Sequence, residues 1–371
     1  MKQKLFKIFG INFILLILFC ISLDSVTLLT DNVDEVVSIN SFLMNQKGDF
    51  FLFSSKQGII LKFSKDGKFE KSFCSKGQGP GEINRVLNMF HNPLNDNLYL
   101  PEFYSGTRGI HIFSSDGQFL GKMTLDMQEK KKNKVSNLLF TSDGSVFVAT
   151  TERVNWKPYG KFFITQNEFL VQSFDKNGIH VADVYKSLLD DEISNKIRFG
   201  GPRVLFKPEV LLQLTPQGDV AIAKNNENLI YIYTQKGKLV KTINLDIQKE
   251  KLTEIEFEDA KKNYINRLSI VSDNRMVALA KKMPKQTYKP IFRKFFSSED
   301  FIFVEKVKEE DEFQNIKNSK LIVCNWKGER VKTISHTGQV EQIKGRTLLI
   351  KYVDEEGEEH FKATPLENSN I

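Results

Sequence analysis

Apolar and polar positions alternate along most of this chain in short runs, and the runs come in pairs closed by a polar turn. Five segments share one form: Ile60 to Phe69, Ile110 to Phe119, Val171 to Val181, Ile230 to Val240 and Leu321 to Val331. Each is an alternating strand, then Asp-Gly, Asn-Gly or Lys-Gly, then a second strand, which is the side-chain chemistry of a tight hairpin with positive φ. A further turn precedes each one, at Gln46 to Asp49, Asn95 to Asn97, Ser142 to Ser145, Pro216 to Asp219 and Ser272 to Arg275. Strands are expected beside these turns, for example at Phe50 to Ser54, Val220 to Lys224 and Met276 to Ala280. Each unit therefore reads as two hairpins, or four strands.

Repeated four-stranded meanders expose two apolar faces per unit, and only a ring of units covers both. The expected fold is all-β, a six-bladed β-propeller. Five units are complete. A sixth begins near Gln342 to Arg346, runs through Thr347 to Val353, turns at Glu355 to Gly357 and ends near Leu366. Its missing outer strand is expected from Val26 to Thr30 or from Val33 to Ile39, so that strands from both termini close the ring and remove an exposed edge.

Two motifs carry a family resemblance. The segment Ser75 to Glu82 (SKGQGPGE), followed by Leu98 to Phe119 with the run RGIHIFSSDGQF, resembles the NHL-type six-bladed propellers, and in particular the exported bacterial six-bladed group. The resemblance implies the architecture and assigns no activity. Arg108 falls where that family often has a structural Arg, and Glu102 stands where its pattern has Asp.

In an antiparallel meander the first-to-second and third-to-fourth turns lie at one end, while second-to-third loops and links between units lie at the other. The spacing between the paired turns is nearly constant from Gly48 to Gly67, Asn97 to Gly117 and Gly218 to Gly237. It lengthens from Gly144 to Gly178 and from Asn274 to Gly328. The extra length sits in second-to-third loops (Thr151 to Glu168, Lys281 to Lys320) and in links (Tyr185 to Pro208, Asp246 to Leu268), so one end is elaborated and binding is expected there. Short helical insertions are expected on that face: Thr253 and Glu256 form a capping box opening a helix to Arg267, and Ser187 to Ile197 reads as a shorter helix.

The first 22 residues read as a cleaved export signal rather than structure: Lys2, Lys4 and Lys7 precede an apolar stretch shorter than the roughly 20 residues of a membrane span. The propeller is then 23–371, in the periplasm or cell envelope. An uncleaved anchor or lipidation at Cys20 is the alternative, and would be its one link to a membrane. Of the formal net charge of +7, three come from those lysines, and the remainder is too small to imply a nucleic-acid partner. The three cysteines form no C-x-x-C pair; Cys74 and Cys324 fall in units that are not neighbours, and no disulfide is expected between them.

Candidate chemistry is sparse. Gly77, Gly79 and Gly81 lack the Lys-Ser or Lys-Thr of a nucleotide loop. The five histidines show no ligand spacing, and neither a metal nor a cofactor is expected. Glu102, Asn225 and Asn226 are the side chains a channel-centred metal-dependent lyase or lactonase would use, and this is the alternative function. The favoured reading is an exported, non-catalytic binding or scaffold module, expected to be monomeric, that takes a protein or carbohydrate ligand at the elaborated face. Its candidate ligand-binding residues are Tyr104, Arg108, Arg153, Trp156, Tyr159, Arg203 and Asn226, because aromatic and Arg side chains dominate interface energetics.

Overall fold

The computed structural model describes residues 26–27, 39–102, 109–126, 134–194, 201–271, 274–306, 319–336, 338–344, 347–353 and 359–365. The expected export signal, Tyr104, Arg108 and the turn at Glu355 to Gly357 lie outside them. After β1 (Val26–Thr27), the first sheet runs β2 (Ser41–Met44), β3 (Phe50–Ser54), β4 (Ile59–Phe63) and β5 (Phe69–Phe73). A short parallel pair, β6 (Ser75–Lys76) and β7 (Glu82–Ile83), links it to the second: β8 (Phe90–Asn92), β9 (Asn97–Pro101), β10 (Gly109–Phe113) and β11 (Phe119–Thr124). The third sheet is β12 (Lys134–Phe140), β13 (Val146–Tyr159), β14 (Phe162–Phe174) and β15 (His180–Ser194). The fourth is β16 (Val210–Leu214), β17 (Val220–Lys224), β18 (Leu229–Tyr233) and β19 (Leu239–Asn244), and the fifth β20 (Lys294–Ser297), β21 (Phe301–Lys306), β22 (Ser319–Asn325) and β23 (Arg330–His336). The last has β24 (Gln339–Lys344), β25 (Thr347–Val353) and β26 (Glu359–Pro365), with β1 antiparallel to β26 at its outer side. The described residues thus form a mostly β architecture of four-stranded antiparallel sheets in sequence order, with two helices between the fourth and fifth.

Burial explains the order of hydrophobicity within a sheet. Second strands are covered on both faces, so β3 reads FFLFS with every residue buried. Fourth strands are solvated, and β11 (FLGKMT) alternates half-buried and exposed positions. The core is a set of apolar layers between consecutive sheets. Phe53, Ile83 and Leu98 belong to the layer joining the first and second, while Val304 and Ile230 belong to that joining the fourth and fifth. Phe42 and Phe50 of the first sheet pack on Leu349, Phe361 and Ala363 of the last.

The first strand of each sheet has a free edge, and side chains of neighbouring sheets satisfy part of it. The Met89 N–H donates to Ser41 Oγ at 3.0 Å, Gln213 Nε2 to the Phe295 carbonyl at 3.0 Å, Ser297 Oγ to the Leu214 carbonyl at 2.7 Å, and the Met44 N–H to Gln342 Oε1 at 2.9 Å. These bonds matter because an unpaired backbone group away from water costs about 1–3 kcal/mol.

Three expectations are corrected. Asn274–Ala280 is a helix, not a turn and strand of the fifth unit. The run NRMVALA is rich in good helix formers and lacks alternation. The first hairpin of that sheet is instead β20–β21, inside the stretch read as a loop, and the Phe301 N–H closes its turn on Ser298 Oγ at 3.1 Å. Ser187 to Ser194 is the end of strand β15 rather than a helix, because it pairs with β14 throughout. Thr151 to Glu168 is a continuation of the β13–β14 hairpin, not a loop. The capping box holds: Glu254–Val271 is helical, the Glu256 N–H donates to Thr253 Oγ1 at 3.3 Å, and the Thr253 N–H donates to Glu256 Oε2 at 2.9 Å.

Candidate functional site

The elaborated end is built on the third sheet. Beyond Thr151, β13 and β14 continue as a two-stranded arm to the turn at Gly160, and β15 follows β14 as far as Ser194. The segment after it folds back on the same edge: the Ile193 N–H donates to the Pro202 carbonyl at 3.0 Å and the Val204 N–H to the Asp191 carbonyl at 2.8 Å. Leu205 and Phe206 then pack with Phe257 of the long helix and with Met283, and the Arg203 N–H donates to the Tyr264 hydroxyl at 3.1 Å. Arm, returning segment and helix are thereby one packed body.

Arg153 and Arg203 meet on Glu192. Arg153 Nη2 lies 2.8 Å from Glu192 Oε2, and Arg203 forms a backbone bridge to Glu192 with its own side chain exposed. Trp156 and Tyr159 lie further along β13, 46% and 39% exposed. Asn226 belongs to the neighbouring sheet, in the turn between β17 and β18, and its Oδ1 is buried without a hydrogen-bond partner.

The acidic residues of this surface were not singled out from the sequence. Asp190 accepts from Gln166 Nε2 at 2.9 Å and faces Lys157 Nζ at 3.7 Å, while Asp191 accepts from Asn167 Nδ2 at 2.8 Å and pairs with Lys207. The run Asp190-Asp191-Glu192 was the available signal, and it was hidden by the helical reading of that stretch. With these acids in place Arg153, Lys157 and Lys207 are charge-balanced, while the Arg203 guanidinium is exposed.

Of the side chains suggested for a channel metal, Glu102 and Asn225 have protein partners, whereas the buried Asn226 Oδ1 has none. Glu102 Oε1 lies 2.6 Å from His111 Nε2 and 3.0 Å from Lys122 Nζ. Asn225 is buried, and its Oδ1 accepts from the Glu209 N–H at 2.8 Å. Among the described residues no three His, Cys, Asp or Glu side chains come together as a metal site. The glycine-rich segment is closed by its own carboxylate, since the Gly79 N–H donates to Glu82 Oε2 at 2.8 Å, and a Cβ on Gly77 would stand 1.9 Å from that oxygen. Cys74 and Cys324 are free thiols, and burial pushes each up to about 11.

A second site emerges from the packing alone. The first strands of all the four-stranded sheets line one cavity of about 330 Å³, with Asn88, Asn137, Gln213, Glu341 and Gln342 among its polar walls and Phe42, Phe90 and Phe296 among its apolar ones. A wider groove of about 780 Å³ lies between the fourth and fifth sheets, but Asn244 to Lys249 and Lys327 to Arg330 supply most of its lining, and it draws on one junction only.

At the short-turn end of the cavity, Asp96 Oδ1 accepts from the Gln46 N–H at 3.0 Å and lies 2.8 Å from His91 Nε2. Burial opposes ionisation of Asp96, yet these bonds hold it below the usual carboxylate range. Burial lowers the His91 imidazole. Lys344, half-buried on β24, donates to the Met44 carbonyl at 3.4 Å, and burial brings its amine down to about 8 against a weaker pull from Asp96. A depressed lysine favours the neutral amine in the fold, so its contribution is fully present above the ordinary lysine range and is lost as pH falls through about 8. At pH 7.5 Lys344 is expected to react with an acylating reagent about 10-fold faster than ordinary surface lysines, the larger neutral fraction being partly offset by the weaker nucleophilicity of a less basic amine. Peptide mapping after limited labelling checks this, and labelling at the rate of the bulk lysines contradicts it.

No protein-family profile matches the chain, and no curated protein sequence matches it. Its structure is similar to that of an exported protein from Bacteroides fragilis, at 14% identity over 94% of this chain and 95% of that one, with a TM-score of 0.54. It is also similar to a member of the DUF4221 family from Bacteroides vulgatus, at 12% identity over 92% of this chain and 96% of that one, with a TM-score of 0.56. At these identities the likeness is one of fold, and the fold is propeller-like. No helix among the described residues is long and apolar enough to cross a membrane.

Proposed function

We propose that this chain is an exported, non-catalytic binding or scaffold module, an NHL-like propeller of six blades closed by strands from both termini, holding a protein or glycan ligand on its elaborated end. One observation carries the reading. The arm of β13 and β14, the edge of β15, the returning segment and the long helix form one body at one end, with Trp156 and Tyr159 exposed beside the Arg153–Glu192 pair. Large amphipathic side chains held on a rigid β arm offer contact area at low entropic cost. Tyr104, Arg108, Arg203 and Asn226 complete the proposed surface, the first two from outside the described residues.

Six-bladed closure is supported by β1 pairing on β26, by the Phe42–Phe361 layer, and by a cavity drawn from the first strand of every sheet. Export is supported by the basic and apolar N-terminal 22 residues, and one of the similar structures is that of an exported protein. The chain has two tryptophans, so Trp326→Phe leaves Trp156 as the sole emitter. Titrating that variant with envelope glycans and purified envelope proteins is expected to give a saturable emission shift, weakened by Tyr159→Ala. A ligand whose calorimetric affinity survives Trp156→Ala and Tyr159→Ala together would move the site elsewhere.

A further inference from the structure

The central cavity is lined by carboxamides that come one at a time from different sheets: Asn88 before β8, Asn137 on β12, Gln213 on β16 and Gln342 on β24. Two of these are tied on one side only. Gln213 donates through Nε2 to the Phe295 carbonyl at 3.0 Å and keeps Oε1, while Gln342 accepts at Oε1 from the Met44 N–H at 2.9 Å and keeps Nε2. The side chains of Asn88 and Asn137 bond to no other described residue. The walls therefore present both donors and acceptors, and amides fixed by a backbone bond hold their remaining atoms in place.

Charge and shape narrow the ligand. Glu341 is the carboxylate in the lining, and its Oε2 is matched by Lys294 Nζ at 2.7 Å; the His91 Nε2 at the short-turn end is matched by Asp96 at 2.8 Å. Lys344, at the short-turn end, has the Met44 carbonyl as its partner and burial favours its neutral amine, so a charged ligand would leave water for little counter-charge. Hydroxyl groups, by contrast, donate and accept as amides do. Of the aromatic rings in the lining, Phe90 is half-buried and offers an apolar surface to the C–H face of a saturated ring, while Phe42 and Phe296 are buried in the layers between sheets. The volume of about 330 Å³ sits at the lower end of small-molecule sites.

We propose that the central cavity is a second binding site, separate from the elaborated end, for an uncharged polyhydroxylated small molecule of monosaccharide size. It goes beyond the module function above and does not depend on it. The test is calorimetry on the full chain with glucose, galactose, mannose and N-acetylglucosamine, against glucuronate and glucosamine as charged counterparts. At least one neutral sugar is expected to bind, and Asn88→Ala and Asn137→Ala are each expected to weaken it about tenfold. The melting temperature stays unchanged in both variants, because neither side chain bonds the protein. Sugar binding that falls with Trp156→Ala and survives Asn88→Ala and Asn137→Ala would place the sugar at the elaborated end instead and overturn the proposal. No binding of any neutral sugar up to roughly 50 mM, a preference for the charged sugars, or affinity unchanged by both alanine variants would overturn the proposal.

Discussion

Replacing Glu305 by Leu is expected to lower the unfolding free energy by about 3–5 kcal/mol, read from the urea midpoint at constant slope. The carboxylate is 1% exposed on β21 and holds three neighbours. Its Oε2 accepts from Arg293 Nε and Nη2 at 3.3 and 3.2 Å, Oε1 accepts from the buried Val340 N–H at 3.2 Å, and His336 Nε2 stands 3.7 Å from Oε1. Val340 lies on the first strand of the next sheet, so Glu305 joins the fifth sheet to the last. Leu fills much of the space but leaves a buried N–H without an acceptor and a half-buried guanidinium without its carboxylate. Glu305→Gln keeps an acceptor for Val340 and is expected to cost about half as much. A loss under about 1 kcal/mol for Glu305→Leu would mean that the junction does not depend on this residue.

Gly328→Ala is expected to destabilise the chain by about 3 kcal/mol or more. Gly328 closes the β22–β23 turn at φ 92°, a conformation that costs an L-residue about 1–2 kcal/mol. The larger obstacle is contact: an added Cβ would lie 2.1 Å from the Asn244 carbonyl oxygen at the end of β19. The Asp246 N–H already bonds the Gly328 carbonyl at 3.2 Å, so the two sheets would have to separate. Gly160, at the tip of the β13–β14 arm, has φ 56° and no atom within 4 Å of such a Cβ. Gly160→Ala is therefore the control, expected to cost about 1 kcal/mol. Equal losses at the two positions would show that φ alone matters and that the sheets do not press together at Gly328.

The hairpins with glycine turns were legible because positive φ leaves a local mark: Gly67, Gly117, Gly178, Gly237 and Gly328 each close a third-to-fourth turn. The β20–β21 hairpin left no such mark, since Ser298 and Phe301 close it with no glycine. The β13 arm looked like a loop because it contains Pro158 and Gly160. Proline is tolerated there because that stretch of β13 has β14 as its one described strand neighbour, and Pro158 sits opposite Phe163 on it. Arg153, Trp156 and Tyr159 stood out by residue type, but Glu192 could not be joined to Arg153 without the register. That register includes bulges at Arg153/Asn155 and Thr165/Gln166. The cavity amides were least visible of all. A single Asn or Gln per sheet has no local spacing, and only the assembly of first strands brings Asn88, Asn137, Gln213 and Gln342 to one space.

The most direct test of ring closure is a cross-link between the two ends of the chain. Val26 on β1 and Ala363 on β26 are antiparallel partners, close enough for a disulfide. In a background lacking Cys20 and Cys74, Val26→Cys with Ala363→Cys is expected to oxidise to an intramolecular bond that shifts electrophoretic mobility and raises the urea midpoint. Failure of the two cysteines to join, together with an unchanged midpoint for a chain beginning at Asn40, would contradict a ring sealed by strands from both termini.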